Sequence, residues 1–444
     1  MKLKQPDIKG FNPLDKINEK SKPTPMMQQY LEVKGRHKEY LLFYRMGDFY
    51  ELFFEDAKIA SSELGIALTK RGKINNEDIP MCGVPAHSAQ TYLSRLINYG
   101  YKIAIAEQLE SEKEPSKIKK NQKLFTRDVV KILTPGTILD DSLLNSKSNN
   151  HLMSISQIKG QISISWTDMS VGVIKLQKIE GSNLANDLYE CISKIEPEEI
   201  IVSDQFNSFK ILDIKLNKFE KKISNVSSDF FNPENNKIKI KNFFKDFVSD
   251  PLNNLTTSDK SALGALINYL ELTQKKNIPL INDFKLISKE DSMQIDDFSV
   301  KSLELFEKND GQLIGSLLSV IDNTRSAAGG RLLRDFLKSP LVNIKEISRR
   351  HDLVNEFKNN SLNMNRIIDL LSTQPDVERA LSRISAKTNN PRDLVLLKNF
   401  IDISDEIFLE IKNLNKKKMD LLISENNCRS DTMKLKKLIN ENIK

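Results

Sequence analysis

The sequence predicts a multidomain protein in which two α/β domains precede an all-α region of core helices. Three observations predict it. The chain has 444 residues, which at about 150 residues per domain exceeds what one hydrophobic core serves. Short apolar runs of strand length alternate with amphipathic segments over residues 21–137, and again from His151. From about Leu263 the strand patterns stop and apolar residues recur at helical spacing. An apolar fraction of 39% beside 29% charged residues excludes wholesale disorder.

Residues 1–20 are polar, carry Pro6 and Pro13, and read as a flexible arm. The first domain spans 21–137. Pro23-Thr24-Pro25 opens a helix from Met26 to about Val33, with Met27, Tyr30 and Leu31 on one face. Leu41-Leu42-Phe43-Tyr44 is an apolar run of buried-strand length, broken by Gly47-Asp48. Glu51–Leu64 reads as a helix with a stripe of Leu52, Phe53, Ala57, Ala60 and Leu64. After Gly65, Ile66–Thr69 reads as a second strand, Thr91–Tyr99 as a helix and Lys102–Ala106 as a third strand. Lys113 to Lys131 is basic, either a solvated loop or a surface for a polyanion. Residues 138–150 are polar and read as a linker.

The second domain spans 151–262. Leu152–Gln157 and Gln161–Ile164 flank Lys159-Gly160, a hairpin signal, and Val171–Leu176 supplies another strand. Leu184, Leu188, Cys191, Ile192 and Ile195 lie on one helix face, and Ile200-Ile201-Val202 is a buried strand. Antiparallel strands, then a helix, then a further strand open an RNase H-like fold. The third region, 263–444, is expected to be all helical. Its stripes are Leu313, Ile314, Leu317, Leu318 and Ile321; then Leu332, Leu333, Phe336 and Leu337; then Val377, Leu381 and Ile384. A last helix starts at Asn390-Pro391, with Asn as cap and Pro in the first turn, and carries Leu394, Leu397, Ile401, Phe408 and Ile411.

Composition narrows the chemistry. The excess of 67 Lys and Arg over 60 Asp and Glu gives +7, which permits a polyanionic partner without requiring one. Cys82, Cys191 and Cys428 are too dispersed for a disulfide framework or a CxxC zinc module, and His37, His87, His151 and His351 are equally scattered. No signal-peptide core and no run of 18 apolar residues occurs, so a reducing cytoplasmic compartment and no membrane partner are expected. The only Gly-Lys, Gly72-Lys73, is followed by Ile74 and lacks the upstream glycine of a phosphate loop. Asp168 and Asp204 each follow a strand of the second domain, where paired carboxylates of a two-metal nuclease would converge. Asp168 also reads as a turn residue.

The most informative stretch is Tyr44-Arg45-Met46-Gly47-Asp48-Phe49-Tyr50-Glu51-Leu52-Phe53. It sets an aromatic and a carboxylate two residues apart beside a flexible glycine. On its own that pattern reads as a core phenylalanine and a glutamate complementing a helix N-terminus. The run resembles the mismatch-recognition domain of the MutS family of DNA mismatch-repair proteins. The similarity continues through Leu68-Thr69-Lys70-Arg71-Gly72, Ile79–His87, Ala104–Gln108 and Arg127–Thr137. Downstream, Gly315–Leu318, Ala328–Arg334 and Asn390–Leu394 resemble the family's core-domain signatures.

The resemblance implies mismatch recognition, RNase H-like connector and core/lever domains in that order. It implies mismatched-DNA binding, with Phe49 wedged into the minor groove and Glu51 hydrogen-bonded to the mispaired base. Lys70, Arg71 and Met81 are implied backbone or groove contacts. Duplex DNA with mispairs or small loops is the implied partner, in a nucleoid-associated setting. In the family a clamp, the returning half of the core and an ATPase domain follow, the last using ATP and Mg. This sequence is expected to hold the N-terminal half, as a truncated reading frame or one part of a split protein, and so to bind no cofactor and catalyse no reaction itself. A second chain carrying the clamp and ATPase half, and other repair proteins, are the implied partners. The alternatives are a fragment that has lost DNA binding and acts through its connector, and the metal nuclease.

Overall fold

The computed structural model describes residues 23–442 apart from 75–76, 110–124, 182, 206–215, 246–251, 253, 276, 282, 389, 413 and 415–428. The N-terminal arm, the lysines between 113 and 123, and Cys428 lie outside the described residues. The chain forms two compact units. One runs to Ile138 and includes Lys218–Ile223 and Asn268–Lys276; the other takes Leu139–Asn217, Ser224–Ile267 and Asn277–Lys444.

In the first unit, α1 (Pro25–Arg36) starts where the Thr24 hydroxyl accepts the Met27 N–H and Pro25 fills the first turn. β1 (Leu41–Met46) and β2 (Phe49–Phe53) form an antiparallel hairpin across Gly47-Asp48. Gly47 has φ 61° there, a conformation that glycine adopts without penalty. Then follow α2 (Phe54–Leu64), β3 (Thr69–Ile74), β4 (Glu77–Pro85), α3 (Ala89–Asn98), β5 (Ile103–Gln108) and β6 (Arg127–Leu133). The strands make one sheet in the order β3-β4-β2-β1-β5-β6, with β1 and β5 parallel and the other neighbours antiparallel.

Two sequence expectations are corrected. Glu51, Leu52 and Phe53 are strand, not the first turn of a helix, because β1 and β4 flank them and take their backbone hydrogen bonds. The strand expected at Ile66–Thr69 begins only at Thr69, so Lys70 and Arg71 lie within it. The buried run is as expected: Leu41 to Tyr44 is wholly inaccessible in the sheet interior. Tyr30 meets Tyr44 and Phe53 edge-on at 5.4 and 4.8 Å, joining α1 to the hairpin. A buried ion pair, Lys34 with Asp56, ties α1 to α2, and Asp56 also accepts the Leu42 N–H of β1 at 2.9 Å.

The second unit is built on β7 (His151–Ile158), β8 (Gln161–Asp168) and β9 (Val173–Ile179), a meander whose first turn is Lys159-Gly160. After α4 (Leu184–Ile195), β10 (Glu199–Ser203) returns parallel to β7. With β11 (Ile223–Val226), α5 (Pro233–Phe243), α6 (Thr257–Gln274) and β12 (Asp283–Ile287), the sheet reads β11-β10-β7-β8-β9-β12. β7 to β10 follow the expected RNase H-like opening of antiparallel strands, a helix and a further strand; β11 and β12 extend the sheet at its two edges. The inner faces of β7 and β8 are unusually polar: Ser156 meets Ser261 at 2.8 Å and Ser163 donates to Asp259 at 2.7 Å. Small hydroxyls let α6 approach the sheet while every buried polar atom named there keeps a partner.

The helices are α7 (Asp297–Ser302), α8 (Leu317–Ile321), α9 (Ala327–Lys338), α10 (Ile344–Asn359), α11 (Ser361–Thr373), α12 (Val377–Ser385), α13 (Pro391–Lys412) and α14 (Arg429–Asn442). The region from 263 onward is not all helical, because β12 pairs with β9. Its DFKLI sequence buries only Phe284, which is too little apolar signal to mark a strand. The 313–321 stripe is also corrected: α8 holds five residues, and Leu313 and Ile314 are exposed before it.

In α12, Val377 and Ile384 pack towards Leu397 and Ile401 of α13. Its other face buries Arg379 and Ser382 against the 138–150 stretch and the β8–β9 turn. That stretch is held, not loose. Arg379 donates to the carbonyls of Asn145 and Ser148, and Arg331 to that of Ser146. Lys147 crosses so close to Gly330 that an added Cβ would stand 2.7 Å from its Cγ. Of the glycine pair in the core signature, Gly330 thus leaves room for the Lys147 side chain.

Candidate nucleic-acid interface

Strand periodicity puts Phe49 and Glu51 on one face of β2 and Tyr50 and Leu52 on the other. Tyr50 is buried, donating its hydroxyl to Glu107 beneath the Arg45 guanidinium, 5.2 Å from the ring. Burial, reinforced by Glu107, pushes the phenol up to about 12. Leu52 and Phe53 are sealed in the core. Phe49 is different: it opposes Met46 across the hairpin and is 47% exposed. A large aromatic is thus presented to solvent from a tight turn.

Glu51 pairs in register with Tyr44 on one side and Gly83 on the other. Gly83 offers no side chain, so nothing on β4 stands directly beside the carboxylate. From β3, Arg71 reaches across β4 and engages both Glu51 oxygens, one at 2.5 Å. The Glu51 side chain is consequently only 14% exposed, against 41% for Arg71. Lys70 pairs with Asp78 at 2.7 Å, in an exposed position. Met81, opposite Phe53 on β4, is half-buried and packs on the α1–β1 core.

The sequence shows the spacing of Phe49 and Glu51 but, reading Glu51 as the start of a helix, not the strand face they share. It does not reveal that Arg71 closes on Glu51 or that Lys70 is engaged by Asp78. It also underweights two supporting cations. Arg127 donates to the Arg45 carbonyl at 2.7 Å and stands 5.5 Å from the Tyr44 ring centroid. With Arg71 and Lys73 it borders a cleft of about 420 Å³ whose walls include Met46 and Phe125. Arg45 is in register with Tyr50 and so lies on the face away from Phe49 and Glu51; Arg127 joins only through sheet pairing.

The nuclease alternative fails on topology. Asp168 ends β8 level with His151, at the start of β7. Asp204 follows β10, which runs parallel to β7 and is already level with Ser154 at Ile201. At about 3.3 Å per residue, the two carboxylates are near opposite ends of the sheet, on the order of 20 Å apart. Asp168 is a turn residue, accepting the Asn150 N–H at 2.9 Å and the Ser170 N–H at 2.8 Å. Among the described residues no group of three or more His, Cys, Asp or Glu is arranged to hold a metal ion, and no helix is long and apolar enough to cross a membrane.

Comparison with known proteins agrees with this arrangement. Family models match in order: MutS domain I over residues 24–142, domain II over 150–282 and domain III over 299–444. The chain is 40% identical over 379 residues to the DNA mismatch repair protein MutS of Wolbachia pipientis, covering 85% of this chain and 44% of that protein. With the MutS of Ehrlichia chaffeensis it shares 40% identity over 400 residues, 90% of this chain and 48% of that protein. With that of Rickettsia typhi it shares 38% over 397 residues, 88% and 44% respectively. The chain spans about half the length of the curated relatives it matches. Carrying domains I, II and III in sequence, it belongs to the MutS family of DNA mismatch repair proteins.

Proposed function

We propose that the first unit recognises mispairs and small unpaired loops in duplex DNA through Phe49 and Glu51. The observation that carries this reading is the exposed Phe49 beside Glu51 on one strand face, in a domain matched to MutS domain I. A mispaired step stacks poorly, so an apolar wedge entering the minor groove opens it more cheaply than a matched step, for which unstacking costs a few kcal/mol. Stacking on the displaced base returns about 1–3 kcal/mol. Discrimination then rests on deformability more than on a base code, which suits a reader of many different mispairs. Glu51 supplies the polar contact to the mispaired base. Lys70 and Arg71 contact phosphates, and Met81 lines the groove side of β4. The remainder of a MutS and other repair proteins are the partners we propose.

The test is fluorescence anisotropy at one fixed salt concentration, because phosphate contacts are salt-dependent. A duplex with a G·T pair or one unpaired base is compared with its matched control. Phe49→Ala is expected to weaken mismatch binding by the stacking contribution, about 5- to 150-fold, with little change on matched DNA. Glu51→Gln keeps a hydrogen-bonding group but removes the charge, so matched duplex should bind more tightly. If Phe49→Ala retains the mismatch preference, the reading is wrong; weaker binding of Glu51→Gln to every duplex would remove Glu51 from it.

A further inference from the structure

The wedge and the carboxylate are not equally available. Phe49 stands in solvent while both oxygens of Glu51 are held by Arg71. We propose that Arg71 is a specificity latch: it keeps Glu51 closed in the DNA-free chain and releases it only by transferring its guanidinium to a phosphate of a distorted duplex. This rests on the mismatch-reading role above and says what controls it.

Three features make the exchange feasible. Arg71 lies on the edge strand of the sheet, where the β3–β4 register breaks between Lys70 and Lys73. Such a bulge re-aims a side chain without disturbing the strands behind it, and Gly72 takes φ 76° at that break. Next, the pair is partly exposed on the arginine side, so it is a weak tie that a better partner can displace. A phosphate is such a partner, since it matches the guanidinium fork as well as a carboxylate does. Finally, Arg71 borders the same cleft as Lys73 and Arg127, so an incoming phosphate meets several cations there.

The two duplexes then differ in what the exchange achieves. On matched DNA a released Glu51 would face phosphates with no base to bond, and the pair stays closed. On a mispair, the base takes Glu51 while a phosphate takes Arg71. Mismatched DNA therefore gains one phosphate contact that matched DNA lacks.

That extra contact is countable. Each phosphate neutralised adds about 0.9 to the slope of log affinity against log salt. The wild-type chain should lose affinity for mismatched DNA more steeply than for matched DNA by that increment, about 3.5-fold over a fourfold rise in salt. Arg71→Met should remove the increment by lowering only the mismatched slope. Glu51→Gln should remove it in the opposite way, raising the matched slope, because Arg71 is then free on both duplexes. Arg71→Lys should restore the increment, since salt counts charge and not shape. Arg71 is on an exposed edge, so these variants should fold, as unchanged far-UV circular dichroism would verify.

Equal lowering of both slopes by Arg71→Met would make Arg71 a standing phosphate contact and overturn the latch. No change in either slope would make the pair merely structural, and would overturn it as well. Either outcome, with mismatch preference still lost in Phe49→Ala, spares the mismatch reading. Preference surviving in Phe49→Ala, or no duplex binding by any form, overturns both.

Discussion

Lys34→Met is expected to destabilise the first unit by about 3–5 kcal/mol, the usual result of removing one partner from a buried ion pair. The side chains of Lys34 and Asp56 are 4% and 3% exposed. Lys34 Nζ donates to Asp56 at 2.8 Å and to the Tyr40 carbonyl at 2.7 Å. Burial raises the Asp56 carboxyl, and Lys34 only partly pulls it back, so it stays above its ordinary value. Without Lys34 it must rise further, and the variant would fold with Asp56 protonated. A carboxyl whose folded pKa is raised loses stability as pH climbs above its unfolded value, about 3.9. The defect should therefore be smallest near pH 4 and grow towards pH 8.

Urea denaturation at both pH values, with hydrogen exchange of the β1 and β5 amides, measures this directly. A companion Lys34→Met/Asp56→Leu variant should recover part of the loss, because two apolar groups leave no uncompensated charge although the buried Leu42 N–H loses its acceptor. An unchanged midpoint in the single variant would show that the pair does not hold the hairpin's base in place.

Arg331→Leu should be comparably severe for the second unit, about 3–5 kcal/mol. Its guanidinium, 4% exposed, forks onto Asp376 at 2.6 and 2.9 Å and also reaches Glu378 at 2.6 Å. The same group donates to the Ser146 carbonyl at 3.0 Å. Substitution leaves the mostly buried Asp376 carboxylate with only Arg379, 3.8 Å away, and removes the donor of the Ser146 carbonyl, while Glu378 can turn to solvent. Of the arginines on the 138–150 strap, Arg383, paired with Asp141 and Asp393, and Arg379 would then remain, beside the Lys147–Asp322 pair and the Asn150 N–H bond to Asp168.

The chain's one tryptophan, Trp166 on β8, is buried in this unit, so its fluorescence transition in urea reports the loss. Burial raises the Asp376 carboxyl, but hydrogen bonding and charge from Arg331 outweigh it and hold it below its ordinary value. A depressed carboxylate contributes stability above its unfolded pKa and loses it as pH falls through its folded value. The gap between wild type and Arg331→Leu should accordingly be full at pH 7 and narrow below about pH 3.9. A variant with an unshifted Trp166 transition would mean that the strap is held without Arg331.

Features set by neighbours a few residues apart were legible without any tertiary contact. The Leu41–Tyr44 run needed only its length to be read as a buried strand, and the Lys159-Gly160 hairpin and the Asn390-Pro391 helix start needed only turn and cap chemistry. The spacing of Phe49 and Glu51, read in its surrounding run, identified the family. Tertiary structure decided everything that depends on pairing between distant residues. β4, with Pro80 and Gly83 inside it, and the weakly apolar β12 are strands only because a neighbouring strand takes their hydrogen bonds. The same pairing turned Glu51–Phe53 from a helical stripe into a strand, and it separated Asp168 from Asp204. It also brought Arg71 to Glu51, Lys34 to Asp56 and Arg331 to Asp376, joining residues 20, 22 and 45 positions apart. Local propensity and periodicity act over one or two turns of chain, whereas a charged side chain finds its partner only once the backbone has closed around both.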